Sequence, residues 1–450
     1  MDMSRVLYRL CVVVASLVGC IELYAHDFEA DGIYYDIIDS DEKTIEVTYQ
    51  GNSYDEYSAE YSGVIYIPAT VSHEDVVYDV VSISDYAFAE NLALEEIDIP
   101  SSIATIGNYA FKGCNDLKMV RFNAVRCTSG AYVFDGCNNL SAIEIGSSVI
   151  SIPGGLFSGC IGLSEVVIPD NVKTIGNGSF SSCVGLKQIT IGNGVTSIGR
   201  YAFKDCVSLS DVTIGNSVTA INSSAFENCT ALQVIDIPNR VTSISDDAFK
   251  NCTALTDVIL PSSVFEIGAY AFSGCSSLIG FTIPARITKI EVGTWAGCVS
   301  LKEITFHDKI QQIGAYAFKG CTGLTAITSQ AVNPPKIADD TFLDVDKSIP
   351  LYVPQGSVES YRMTSYWSEF DNIKEDLSVV EKIEAEGVCE VVGCNGVLLV
   401  KGVADDAIVT IYALGGTLLY STIVSEVANI VLPHGIYLVQ IGHVVEKVLL

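Results

Sequence analysis

Hydrophobic positions recur along this chain with a fixed period. Cys114, Cys137, Cys160, Cys183, Cys206, Cys229, Cys252, Cys275, Cys298 and Cys321 are each 23 residues apart. Three residues before each stands an aromatic side chain, Phe111 through Phe318 with Trp295 as the variant, and three residues after each stands a leucine, Leu117 to Leu324. Ile, Val or Phe mostly follow at six and eight residues beyond the cysteine, as in Ile189 and Ile191, then Pro or Gly, then Val or Ile at twelve and fifteen, as in Val241 and Ile244. Leu-x-x-Ile-x-Ile places alternate apolar side chains on one face and predicts a short strand with its inner face buried. Pro or Gly ends that strand, and Val-x-x-Ile-Gly predicts a second extended stretch closed by a turn. Ala-Phe-x-x-Cys-x-x-Leu has i, i+3 spacing and predicts a short helical or 3₁₀ turn. One 23-residue unit buries too little to stand alone, so the units are expected to stack as a repeat solenoid over a continuous core. Aromatic turns run from Phe88 to Phe318, with a degenerate one at Phe342.

The flanks differ in texture. Residues 1–25 carry Arg5 and Arg9 ahead of a short apolar run, the pattern of a secretory signal and too short to span a bilayer. Two processing sites compete, cleavage after Ala25 and lipidation at Cys20, with the first preferred. Residues 26–64 read as an N-terminal β cap and 65–345 as the solenoid. Residues 346–377 read as a C-terminal cap, 378–386 as a charged linker, and 387–450, with its short alternating runs, as a small antiparallel β-sandwich. No later apolar run is long enough for a transmembrane helix.

One cysteine per coil in an apolar repeat points to a column of buried free thiols, because equivalent Cβ vectors in parallel coils are poorly placed for disulfides. Cys389 and Cys394 lie near a hairpin and leave a pairing open. Asp and Glu total 54 against 25 Lys and Arg, for a net charge of −29. That balance argues against nucleic acid and anionic membranes as partners.

The unit Ala-Phe-x-x-Cys-x-x-Leu-x-x-Ile-x-Ile-Pro-x-x-Val-x-x-Ile-Gly, matched closely by Ala202 to Ile221, resembles the leucine-rich repeat of BspA-like bacterial surface proteins. The opening His26-Asp27-Phe28-Glu29-Ala30-Asp31-Gly32-Ile33-Tyr34-Tyr35 is similar to the start of mature proteins in that group. The tail, with Ile411-Tyr412-Ala413-Leu414-Gly415-Gly416, Leu432-Pro433-His434-Gly435-Ile436-Tyr437 and terminal Lys447-Val448-Leu449-Leu450, is similar to type IX secretion sorting domains. These resemblances imply a leucine-rich-repeat solenoid, export to the outer face of a Gram-negative cell, and adhesion to host matrix proteins or other bacteria.

No catalytic constellation, phosphate loop or metal motif is present, so the chain reads as non-catalytic, with no cofactor and no metal ligand set. His73-Glu74-Asp75, Asp246-Asp247, Asp339-Asp340 and Asp405-Asp406 read as solvated turns. Binding surface remains. The residues five and seven after the cysteine slot should point outward from the first strand. Their acids, Glu96, Asp98, Glu144, Glu165, Asp211, Asp236, Asp257 and Glu303, are the candidate contacts for a basic protein partner. A tyrosine column ahead of the aromatic turn supplies the alternative, sugar stacking on Tyr109, Tyr132, Tyr201, Tyr270 and Tyr316. A structural surface protein with no discrete ligand is the third reading.

Overall fold

The computed structural model describes residues 26–51, 53–54, 60–376, 390–394, 397–413, 418–431, 436–441 and 444–449. The Cys20 and Ala25 processing sites, the linker 378–386 and Cys389 lie outside the described residues.

The repeat builds what its period dictates. Glu165–Ile168 runs parallel to Gln188–Ile191 with Glu165 beside Gln188 and Val166 beside Ile189, so residues 23 apart become neighbours. A second column of two-residue strands follows, with Thr174–Ile175 beside Ser197–Ile198 in the same offset. The inward residues Leu186, Ile189, Ile191, Val195 and Ile198 are all buried. Between the two strand columns and the turn runs an aromatic stack. Phe180, Phe203, Phe226 and Phe249 lie face to face with ring centroids 5.4–5.6 Å apart. Trp295 continues the stack between Phe272 and Phe318. The spacing follows from a coil rise of about 4.8 Å and the thickness of a ring.

The segment expected as a helical or 3₁₀ turn is a run of i→i+3 turns with every second N–H turned sideways. Lys112, Cys114 and Leu117 N–H groups donate to the carbonyls three residues back at Tyr109, Phe111 and Cys114. Tyr109, Phe111 and Gly113 instead donate to Ala131, Val133 and Asp135 of the next coil, at 3.0, 2.9 and 2.7 Å. Left-handed backbone at Tyr109 (φ 55°) and Gly113 (φ 71°) makes that alternation. The turn wall is thereby a third hydrogen-bonded ladder, which a continuous helix, with its N–H groups aimed along its own axis, would not supply.

The first-strand ladder is segmented. Gly63–Tyr66, Leu94–Ile99, Met119–Phe122 and Ala142–Ile145 form one sheet; Glu165–Ile168, Gln188–Ile191 and Asp211–Thr213 a second; Val234–Asp236 and Asp257–Ile259 a third. In the next coil, residues 278–284 carry no strand, although Ile279-Gly280-Phe281-Thr282-Ile283 has the strand pattern. Phe281 occupies a slot that Val or Ile fills elsewhere, and its ring lies 5.3 Å from Phe272 and 4.7 Å from Trp295. Two oversized rings in one layer push the backbone off the ladder.

At the N-terminal end Phe28–Ala30, Ile33–Asp39 and Thr44–Thr48 pair antiparallel, and Thr44–Thr48 joins Val76–Ile83 in parallel. His73-Glu74-Asp75 closes the hairpin between Thr70–His73 and Val76–Ile83, with Glu74 and Asp75 both left-handed (φ 49° and 63°), the geometry of a tight hairpin turn.

Residues Ile327–Pro334 and Ser348–Leu450 form a second compact unit. In it Pro350–Val353 pairs in parallel with Asn372–Glu375, and the Tyr361 hydroxyl on the helix Val358–Met363 donates to the Ala331 carbonyl at 2.8 Å. Further along, Glu390–Cys394, Val397–Ala413, Leu418–Val431, Ile436–Ile441 and Val444–Leu449 make one connected antiparallel sheet. The long strand Val397–Ala413 meets Glu390–Cys394 with its first half and Ile436–Ile441 with its second. Its pairing with Leu418–Val431 skips register between Val403 and Ala407, so Asp405-Asp406 lies in a bulge.

Candidate binding face

Strand alternation sets which side chains leave the core. In Glu165–Ile168 and Glu303–Phe306 the burial pattern is strictly exposed, buried, exposed, buried. Asp211, Asp236 and Asp257 occupy the same outward slots on Asp211–Thr213, Val234–Asp236 and Asp257–Ile259, and all three are exposed. The expected outward columns therefore exist, but their acids fall into two groups. Near the N-terminal end the acids have partners within the chain. Arg121 Nη1 lies 2.8 Å from Glu96 and its Nε 3.5 Å from Glu144, and Asn123 Nδ2 donates to Asp98 at 2.9 Å. The Glu96 hydrogen bond raises the already high pKa of the Arg121 guanidinium. By contrast Glu165, Asp211, Asp236, Asp257 and Glu303 form no ion pair within 4.0 Å among the described residues.

The free acids are interleaved with aliphatic side chains. Val234 is adjacent to Asp257, and Asp236 is adjacent to Ile259, across the same pair of strands. Val234 is 60% and Ile259 71% exposed. Ile279, 55% exposed, sits on the other side, because its N–H donates to the Thr256 carbonyl at 3.2 Å. The sequence pattern marked the acids and missed these aliphatics. Their slots are shared with Thr and Gln in other coils, and no periodic signal separates them.

The tyrosine column occupies the left-handed slot of the turn, with Tyr86, Tyr109, Tyr132, Tyr201, Tyr270 and Tyr316 all between φ 55° and 61°. Tyr54, Tyr86, Tyr109 and Tyr132 stack in sequence at 4.3, 5.2 and 5.4 Å. Both faces of Tyr109 are thus covered, which removes it as a sugar platform. Tyr132, 56% exposed, ends that stack, because the next two slots are Gly155 and Gly178. Tyr201, Tyr270 and Tyr316 each carry a lysine ammonium 5.4–5.8 Å from the ring centroid.

The cysteine column is inert. Cys114 through Cys321 are free and buried. Cys206 Sγ donates to the Phe180 carbonyl of the coil before at 3.1 Å, Cys229 to Phe203 at 3.2 Å, and Cys321 to Trp295 at 3.1 Å. Burial pushes the Cys183, Cys275 and Cys321 thiols up to about 12, far from nucleophilic thiolate character. At the N-terminal end an open cleft of about 450 Å³ is lined by Asp36, Glu46, Thr48, Ser82, Asp85 and Thr105. It joins residues too far apart in sequence for any motif to reveal. Among the described residues no group of three or more His, Cys, Asp or Glu side chains is arranged to hold a metal ion.

A family model of the BspA-type leucine-rich repeat region, six copies long, matches residues 81–210 and again residues 196–325. The chain belongs to the BspA-type leucine-rich repeat family. A solved structure agrees on the fold. A leucine-rich repeat protein from Bacteroides ovatus is 27% identical, with a TM-score of 0.55 over 78% of this chain and 89% of that one. A leucine-rich cell surface protein from Faecalibacterium prausnitzii is also 27% identical, with a TM-score of 0.41 over 79% of this chain and 95% of that one. The pneumococcal vaccine antigen PcpA is 16% identical, with a TM-score of 0.47 over 79% and 99%. No curated protein matches the chain. Among the described residues no helix of this BspA-type chain is long and apolar enough to cross a membrane.

Proposed function

We propose that this BspA-type repeat protein is exported to the bacterial surface and binds proteins through the outward face of its first-strand sheets, without catalysis. The observation that carries the reading is the contrast within one face: Glu96, Asp98 and Glu144 are held by Arg121 and Asn123, whereas Glu165, Asp211, Asp236, Asp257 and Glu303 have no ion-pair partner among the described residues. Acids repeated along one face with neutral residues such as Gln188 and Val234 between them leave a negative surface suited to a basic partner. Residues 1–25 serve as the export signal in this reading, and residues 387–450 as a sorting domain. The F. prausnitzii relative, named as a cell surface protein, supports the location.

A second reading is glycan capture. Tyr132 at 56% and Tyr201 at 47% exposure keep open ring surface beside the small Gly155 and Gly178 slots. The intact chain, tested against host matrix proteins and glycans at low and high salt, separates the readings. A saturable protein hit weakened by salt is expected. Binding confined to glycans moves the site to the tyrosines, and no binding in either class contradicts both.

A further inference from the structure

Asp257 is the point on the sheet face where charge and apolar surface converge. Its carboxylate is exposed. Val234 flanks it on the preceding strand, Ile259 stands two residues along on the same face, and Ile279 borders it from the following coil. These three aliphatics are the exposed ones noted above, and each turns a methyl-bearing side chain to solvent rather than to a neighbour in the core. The outward slot next to Asp257 on the C-terminal side is Gly280, and a Cβ built there would meet nothing within 4 Å. The coil that carries Gly280 has left the ladder because Phe281 and Trp295 overfill its core layer. The result is an exposed carboxylate beside exposed aliphatic side chains and a position with no side chain at Gly280, with Asp236 on the preceding coil and Asp211 two coils before.

We infer that this patch is a docking site for an arginine side chain presented by a protein partner, with the guanidinium on Asp257 and the methylene stem lying over the open Gly280 position beside the aliphatic side chains. The inference rests on the protein-binding reading of the face and sharpens it to one residue. Arginine suits the patch better than lysine. Its guanidinium is planar, weakly hydrated and able to meet a carboxylate with two donors, and its stem covers apolar surface. An ion pair ringed by aliphatic contacts loses less to water than an exposed one, the arrangement found where a few residues carry most of an interface. Charge supplies the complementarity: the face offers Asp211, Asp236, Asp257 and Glu303 and no unpaired cation in the same outward columns. Tyr132 with Gly155, and the Asp36–Glu46 cleft, offer surface but no comparable reason to prefer one ligand.

The test is selection from a random dodecapeptide library with the intact chain as bait, followed by titration of the enriched peptides. The expected peptides carry an arginine beside aliphatic residues and lose affinity when that arginine is replaced by lysine or citrulline. Asp257→Asn should weaken them roughly thirtyfold, and Gly280→Leu, which puts a side chain into the open position without changing charge, about tenfold. Glu266→Gln, an exposed acid on the second strand of the same repeat, should leave them unchanged. Far-ultraviolet circular dichroism and thermal midpoints confirm that each variant folds. Peptides that bind equally with lysine, or that ignore both Asp257→Asn and Gly280→Leu, overturn the arginine site. If such peptides still respond to Glu165→Lys or Glu303→Lys, the protein-binding face survives without this site. If no enriched peptide responds to any change on the face, or none is enriched, both readings fall.

Discussion

At the scale of single residues, the cysteine slot shows how a sequence signal and a structural role diverge. The regular spacing and apolar company identify a small buried residue. They do not say why cysteine and not alanine or valine. The structure answers with a hydrogen bond: the thiol meets the carbonyl of the aromatic residue one coil back, as Cys206 does with Phe180. That carbonyl lies 26 positions away and becomes a neighbour only once the coil phase is fixed. Cys206→Ser, which keeps a donor, should therefore cost less than Cys206→Ala. The alanine variant removes one of the two hydrogen bonds the Phe180 carbonyl accepts, the other coming from the Cys183 N–H, and empties the thiol's place in the core; it should lose about 1–3 kcal/mol, read from urea unfolding. The same thiols set a pH dependence. Their folded pKa values are raised from 9.0 to about 12 at Cys183, Cys275 and Cys321. The neutral thiol is thus favoured by folding, and stability present below pH 9 falls as pH rises toward 12. Urea midpoints measured at pH 8 and pH 10.5 should drop at the higher value, and iodoacetamide should leave the native thiols of this column unmodified at pH 8.

At the scale of elements, the alternating pattern of each coil correctly indicates inner and outer faces but overreaches in one coil. Ile279 to Ile283 alternates like its neighbours, yet residues 278–284 carry no strand. Binary patterning records polarity and not volume, and here volume decides: Phe281 packs against both Phe272 and Trp295. The double variant Phe281→Ile with Trp295→Phe restores the consensus size. It should return residues 280–283 to the ladder, seen as slower amide hydrogen exchange there with other coils unaltered. The turn wall was legible as a compact i, i+3 element. Its left-handed alternation was not, because Tyr, Gly, Ser and Asp share the first left-handed slot and Gly, Glu, Ser, Asp and Asn the second, and only the backbone reveals the common φ. Tyr109 shows the cost to a sequence-only reading: a ring that spacing marks as a platform is sandwiched by Tyr86 and Tyr132.

At the scale of the whole molecule, a net charge of −29 describes the average surface and conceals its organisation. The acidic sheet face was legible from the repeat register. Its division into paired and unpaired acids was not, since it depends on one guanidinium reaching two coils. Arg121→Ala should change stability by less than about 1 kcal/mol, as expected for exposed ion pairs. It should also steepen the salt dependence of binding to a cationic protein by freeing Glu96 and Glu144. The central claim is that the unpaired acids of the sheet face bind a basic protein surface. It is tested most directly by isothermal titration of the matrix protein captured in the panel against the intact chain and a Glu165→Lys, Asp211→Lys, Asp236→Lys, Asp257→Lys variant, at low and at physiological salt. The account predicts that the variant loses saturable binding and its salt dependence while keeping its fold. Equal affinity and equal salt slope in the two chains would contradict it.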